Sequence, residues 1–247
     1  MRKLSIIGIG AGNPDYITMQ AIKALRDVDV IFLIDKGSEK DDLATLRKDI
    51  CERYIEKPYR IVEAKDPERD RAPADYDAAV TAWHQKRATI YERMIREDLS
   101  DGEHGAFLVW GDPSLYDSTL RIVDQVAAMK TVAFDLDVVP GITSVQALAA
   151  RHRIPLNRIG EPIHITTGRQ LAQGMTGDNV VVMLDGDCAF KFVSGDVDIY
   201  WGAYIGTADE ILLSGKLRER GPEIEKTRRE ARARHGWIMD TYLLRKN

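Results

Sequence analysis

Leu4-Ser5-Ile6-Ile7-Gly8-Ile9-Gly10-Ala11-Gly12-Asn13-Pro14 decides how the chain is read. A short apolar run, Leu4 to Ile9, stops at a glycine loop closed by proline, and Thr18 to Leu25 then carries apolar residues at helical spacing. This reads as strand, tight loop, helix: glycine and proline punctuate, and apolar residues at i, i+3 and i+4 share one helix face. Val28 to Ile34 follows, β-branched with little alternation, as suits a parallel strand covered on both faces, and it stops at Asp35-Lys36-Gly37. A βαβ unit therefore opens the chain, and the fold class is α/β.

Working outward, the stretch 63 to 78 is crowded with charge and holds Pro67 and Pro73, which predicts an irregular excursion able to form a lid. From Asp77 to Leu99, Ala79, Trp83, Ile90, Met94 and Ile95 recur at helical intervals, up to Asp101-Gly102. Ala106 to Trp110 predicts a buried strand ended by Gly111-Asp112-Pro113, Ser118 to Met129 a helix, and Phe134 to Val139 another strand. Pro140-Gly141 breaks the chain before a helix at Ser144 to His152, which divides it into domains at 1–139 and 140–247. The second half offers strands at Ile163 to Thr166, Val180 to Leu184, Ile199 to Tyr204 and Ile211 to Leu213, a charged helix from Glu223 to Arg234, and a last strand from Trp237 to Leu244.

Composition narrows the function classes. With 247 residues, 44% of them hydrophobic and 30% charged, the chain can bury two modest cores, and disorder is not expected over most of its length. Lys and Arg number 35 against 39 Asp and Glu, a net charge of −4, so no overall positive field favours nucleic acid. Cys51 and Cys188 are far apart and neither has a second thiol or histidine at metal-ligand spacing, which predicts free thiols in a reducing compartment and no metal. The charged start Met1-Arg2-Lys3 is followed by too short an apolar stretch for a signal peptide, and no apolar run approaches the roughly 20 residues that span a bilayer. A cytoplasmic protein without membrane contact is expected.

Four loops can carry chemistry. Gly8-x-Gly10-x-Gly12 after a strand invites a dinucleotide reading, but the third glycine of that fingerprint falls on Asn13, with Pro14 next. Trp110 to Tyr116 follows a strand at the edge where ligands of open α/β sheets gather; Asp112 either accepts hydrogen bonds from a ligand or caps the next helix. In Pro140-Gly141-Ile142-Thr143-Ser144 either hydroxyl suits an N-cap. His164-Ile165-Thr166-Thr167-Gly168-Arg169 groups a histidine, two hydroxyls and an arginine suited to a carboxylate at another strand end.

In order and spacing, Ile7 to Pro14, Gly111-Asp112-Pro113-Ser114-Leu115-Tyr116, Pro140 to Ser144, Arg153-Ile154-Pro155-Leu156 and Gly206-Thr207-Ala208-Asp209-Glu210 resemble the tetrapyrrole methylase family, from Ile6 to about Leu217. The resemblance implies two α/β domains with a cofactor cleft between them, S-adenosylmethionine as cofactor, S-adenosylhomocysteine as product, and a homodimer. By motif matching it implies cofactor contacts at Ala11, Gly111, Asp112, Leu115, Thr143, Ser144, Leu184 and Gly206. Ala11 stands where many members have proline and Asn13 where many have aspartate.

Within the family, Ala106 to Pro113, Arg158 to Arg169, Asp185-Gly186-Asp187-Cys188-Ala189-Phe190 and His235 to Asp240 resemble members that act on precorrin-5 in aerobic cobalamin synthesis. That implies loss of the C1 acetyl group as acetate and methylation of the same carbon. Deacylation needs an activated water, and a carboxylate or histidine can provide it: Asp35, His164 and Asp185 stand at expected strand ends. The substrate's carboxylates call for cations, and Lys36, Arg151, Arg153 and Arg169 are the candidates, each equally readable as a solvated surface charge. The rival readings are a family member with another ring carbon, an RNA ribose or a diphthamide precursor as target, and a tetrapyrrole-binding protein without turnover.

Overall fold

The computed structural model of the chain describes residues 1–35, 41–68 and 75–247. Two compact units divide it: Met1–Gly10 with Pro14–Ile142, and Ala11–Asn13 with Thr143–Asn247. The chain thus changes unit after Ile142, and three residues of the glycine loop belong with the second unit.

The first unit runs β1 (Arg2–Gly8), α1 (Met19–Arg26), β2 (Val30–Asp35), α2 (Asp41–Tyr54), β3 (Arg60–Lys65), α3 (Tyr76–Asp98), β4 (His104–Val109), α4 (Thr119–Met129) and β5 (Phe134–Val139). Its sheet has the order β3-β2-β4-β1-β5 with every pair parallel. Strand side chains alternate between faces, so Leu4 and Ile6 join Tyr91, Met94 and Ile95 of α3 and Ile122, Val123 and Val126 of α4. Ile7 and Ile9 join Ala21 and Leu25 of α1 and Ile50 of α2 on the other side. Both faces being covered explains why the strands read as continuous apolar runs.

Here the structure refines the expectations. β4 lies between β1 and β2, so the opening βαβ crossover skips a strand. The stretch 63–78, expected as an irregular excursion able to form a lid, instead contributes a strand at 63–65 and the start of α3 from residue 76; 66–68 have no regular structure, and 69–74 lie outside the described residues.

The second unit runs α5 (Ser144–His152), β6 (His164–Thr167), α6 (Gly168–Leu171), β7 (Asn179–Met183), a 3-10 turn (Ala189–Phe192), β8 (Val197–Ala203), β9 (Ile211–Lys216), α7 (Leu217–His235) and β10 (Asp240–Lys246). Its sheet, β6-β7-β10-β8-β9, is parallel between β6 and β7 and antiparallel elsewhere. Leu217, Gly221, Ile224, Arg228 and Ala231 form the buried stripe of α7 at steps of three and four, over Val180, Val182, Trp201, Tyr242 and Leu244. This helix starts six residues before the expected Glu223 and contains Pro222, and β10 starts at Asp240 because Trp237 instead offers its carbonyl to the Tyr204 hydroxyl at 2.5 Å.

Candidate functional site

Ligands of open α/β sheets bind beyond the carboxyl ends of the strands. At that edge of the first unit the loops after β1, β4 and β5 meet backbone to backbone. A Cβ on Gly8 would lie 2.6 Å from Gly141 N and 2.8 Å from Gly111 O, and one on Gly141 would lie 2.0 Å from Gly111 O. Gly10 and Gly111 exchange backbone hydrogen bonds of 3.3 and 2.9 Å. The glycines therefore bring peptide groups, not side chains, to the sheet edge.

Asp112 latches two of these loops. One carboxylate oxygen accepts from Gly141 N at 2.8 Å; the other accepts from Ser114 N at 2.8 Å and from the Ser114 hydroxyl. Partial burial pushes this carboxyl up, but those three donors together hold it below the ordinary carboxylate range. Leu115 and Tyr116 follow, and Tyr116 has left-handed backbone (φ 52) with its ring half exposed. Behind the loop, buried Arg87 of α3 donates to Asp66 at 2.7 Å and to Ser118 at 3.1 Å, and its guanidinium lies 4.4 Å from the Trp83 ring centre.

In the second unit Gly12 (φ 87) rests on the loop after β8, where a Cβ would meet Ile205 O at 2.2 Å. The same Cβ would lie 3.2 Å from the carbonyl carbon of Gly206. The Gly206 N–H donates to Glu210 at 2.8 Å. Thr143 is the N-cap of α5 in a reciprocal capping box with Gln146, and the Ser144 hydroxyl is 3.1 Å from that of Thr241. Leu184, just past β7, has φ 53 and is 65% exposed, an uncommon backbone and an uncommon exposure for leucine.

The candidate catalytic residues differ in their surroundings. The register that sets Phe32 beside Phe107 carries Asp35 to the same edge as the Trp110 loop. His164 opens β6 and does not end it: it pairs with Val180, and Gly177 packs on its ring, so Thr167-Gly168 marks the strand end expected there. Asp185 is buried, and its carboxylate accepts from Asp187 N, Ala189 N and the Tyr242 hydroxyl at 3.0, 2.7 and 2.6 Å. Among the cation candidates, Arg151 pairs with Glu210 at 2.5 Å, Arg153 closes α5 with φ 57, Arg169 lies in α6, and Lys36 falls outside the described residues.

Sequence reasoning passed over Gly8 and Gly141 as contact makers, Tyr116, Glu210 and the arginines Arg87 and Arg228. Arg228 had a legible signal: it occupies an inward position of the α7 stripe, where a charge needs partners.

The sequence profile of the family described as Tetrapyrrole (Corrin/Porphyrin) Methylases matches residues 3–220. A "Precorrin-6A synthase [deacetylating]" of Sinorhizobium sp. is 53% identical over 100% of this chain and 96% of its own length. The crystal structure of a cobalamin-synthesis-related protein, CobF, from Corynebacterium diphtheriae superposes with TM-score 0.85 at 41% identity, covering 100% of this chain and 99% of that one. A uroporphyrin-III C-methyltransferase from Thermus thermophilus, complexed with S-adenosylhomocysteine, shares the fold: TM-score 0.59, 16% identity, and 98% and 96% of the two chains.

Proposed function

Because this chain belongs to the tetrapyrrole (corrin/porphyrin) methylase family, we propose that it is the S-adenosylmethionine-dependent enzyme that methylates C1 of precorrin-5 with loss of the acetyl group as acetate, forming precorrin-6A. The observation that carries this reading is the 53% identity, over the full chain, to an enzyme named for that deacetylating reaction.

The residues fit the cofactor. It has no phosphate to cradle, which agrees with Asn13 standing where a dinucleotide fingerprint has glycine. Its adenosine and amino acid parts need backbone donors and acceptors and an apolar surface. The exposed Leu184 offers an apolar surface and the Gly111 carbonyl a second lone pair beyond its bond from Gly10 N, and Ala11, Asp112, Leu115, Thr143, Ser144 and Gly206 complete the proposed contacts. S-adenosylmethionine supplies a methyl carbon made electrophilic by the sulfonium.

Water adds to the acetyl carbonyl, the bond to C1 breaks, acetate departs, and the electron pair stays on C1, spread over the conjugated macrocycle. C1 then forms its bond to the methyl carbon as the carbon–sulfur bond breaks. The protein's part is to hold C1 and the methyl roughly 3 Å apart in line, which is worth several kcal/mol of barrier. Asp35 and His164 stand as candidates for taking the proton of the water, and Arg153, Arg169 and Lys36 for meeting substrate carboxylates; Arg151 would have to leave Glu210 to do so. The proposed setting is cytoplasmic and the proposed assembly a homodimer. No helix among the described residues is long and apolar enough to cross a membrane.

Purified protein incubated with S-adenosylmethionine and precorrin-5, followed by mass spectrometry, tests the reading. Equal release of S-adenosylhomocysteine and acetate is expected. Methyl transfer without acetate would move the reaction to another carbon, and neither product despite cofactor binding would overturn the activity.

A further inference from the structure

Leu184 is held where it is against its own preferences. A leucine with φ 53 and 65% exposure is what a free loop avoids, since glycine or asparagine takes that backbone more readily. A buried polar brace surrounds the segment that follows. Arg228 reaches from α7 and donates to the carbonyls of Asp185 at 2.5 Å and Gly186 at 3.1 Å. Its Nε donates to Asp240 at 3.0 Å, and the same carboxylate oxygen accepts from the Trp201 indole at 2.9 Å. Asp185 in turn accepts from two backbone N–H groups of its own loop and from the Tyr242 hydroxyl, and Gly168 approaches so closely that a Cβ there would overlap its carboxylate. The anchors Trp201, Arg228, Asp240 and Tyr242 stand on β8, α7 and β10, so the loop is fixed from regular elements.

Stability alone does not account for this arrangement. An arginine and two carboxylates taken out of water are at best break-even against well-packed apolar residues of the same volume. A glycine at 184 would have relieved the backbone. What the brace secures is geometry: with both carbonyls and the carboxylate engaged, the two residues that follow Leu184 are tied in place, next to a leucine that stands out toward solvent.

We propose that Arg228, Asp240, Tyr242 and Asp185 are positioning residues which hold Leu184 in the pose that receives the cofactor, so that Asp185 serves as the hub of a brace and not as the base of deacetylation. This rests on the reading of Leu184 as a cofactor contact. Without the brace the loop samples other poses, and the apparent affinity falls by the fraction of time it spends in the competent one; if that is one part in ten, about tenfold.

Calorimetric titration with S-adenosylhomocysteine, thermal unfolding and hydrogen exchange of residues 184–189 test it on four variants: Leu184→Ala, Arg228→Met, the milder Tyr242→Phe, and Ile224→Val, a core change on α7 outside the brace. Arg228→Met and Tyr242→Phe are expected to weaken binding, about tenfold for the first. They should also quicken exchange at 184–189 and raise KM for S-adenosylmethionine more than they lower kcat. Ile224→Val should lower the melting temperature and leave affinity alone. In the Leu184→Ala background, Arg228→Met should add no further loss. If Leu184→Ala leaves affinity unchanged, the contact reading fails and the proposal with it. If Leu184→Ala weakens binding while neither brace variant does so beyond Ile224→Val, the contact stands and the brace is overturned.

Discussion

At Gly141 a Cβ would fall 2.0 Å from Gly111 O and 2.9 Å from Gly8 Cα, all backbone and none able to swing aside. Gly141→Ala must therefore push apart the loops after β1, β4 and β5. Urea unfolding is expected to show a loss of about 1–3 kcal/mol, the usual cost of overpacking. Titration should show S-adenosylhomocysteine affinity falling with it, and unchanged affinity would dissociate this glycine meeting point from the cofactor. At the opposite end of the same sheet, His104 contacts the buried Ser5 hydroxyl at 2.7 Å through Nε2, while its buried Nδ1 has no partner among the described residues. Burial first, and Lys3 second, hold its pKa below the ordinary 6.5, against the pull of Asp27 and Asp29. The fold thus favours the neutral ring. Its contribution is complete well above pH 6.5 and is lost as the pH falls through that value toward the folded pKa. Unfolding free energies from urea titrations between pH 8 and 5 should decline by up to about 1.4 kcal/mol per pH unit from this group, and His104→Gln should flatten that part of the slope.

Among the elements, α5 shows how one short motif does two jobs. Thr143 and Gln146 satisfy each other's backbone groups, which fixes where the helix begins and leaves Ser144 at its first turn facing Thr241. Thr143→Ala is expected to cost about 1 kcal/mol by chemical denaturation and Thr143→Ser almost nothing; equal losses would assign the effect to the methyl group. The capping residues were visible in the sequence, as were α1, α4, β4 and β5, because their signals are local. α2 and β3 were not anticipated: β3 is an edge strand, Arg-Ile-Val-Glu-Ala-Lys, whose inward alternation is only two residues long, Val62 and Ala64, among exposed neighbours. The first turns of α7 were missed because Gly221-Pro222 punctuates most chains; here Pro222 is accommodated within the helix, and Leu217 anchors the turn before it in the core.

For the whole molecule, three apolar clusters, two on the faces of the first sheet and one in the second unit, set the stability that a ligand adds to. A ligand that binds only the folded chain adds RT ln(1 + [L]/Kd), so S-adenosylhomocysteine at a hundred times its Kd should raise unfolding free energy by about 2.7 kcal/mol and lift the melting temperature as concentration rises. A melting curve indifferent to ligand would contradict cofactor binding by the native chain. The glycine loop illustrates why scale matters. Its residues are consecutive, yet Gly10 bonds to Gly111 in the first unit while Gly12 rests on Ile205 in the second. No local pattern announces that division.

The sequence by itself determined the α/β class, most of the strands, the loops that carry the family's motifs and, through them, the family and the reaction. These depend on periodicity, turn chemistry and residue identity, all of which are local properties. Tertiary structure alone decided that β4 inserts between β1 and β2, that Gly8, Gly111 and Gly141 converge, and that His164 begins a strand. It also decided which donors surround Asp185: two backbone N–H groups of its own loop and the Tyr242 hydroxyl. The reason is physical: a carboxylate's role is set by which donors surround it, and the donors to Asp185 come in part from residue 242, far along the chain and adjacent only after folding.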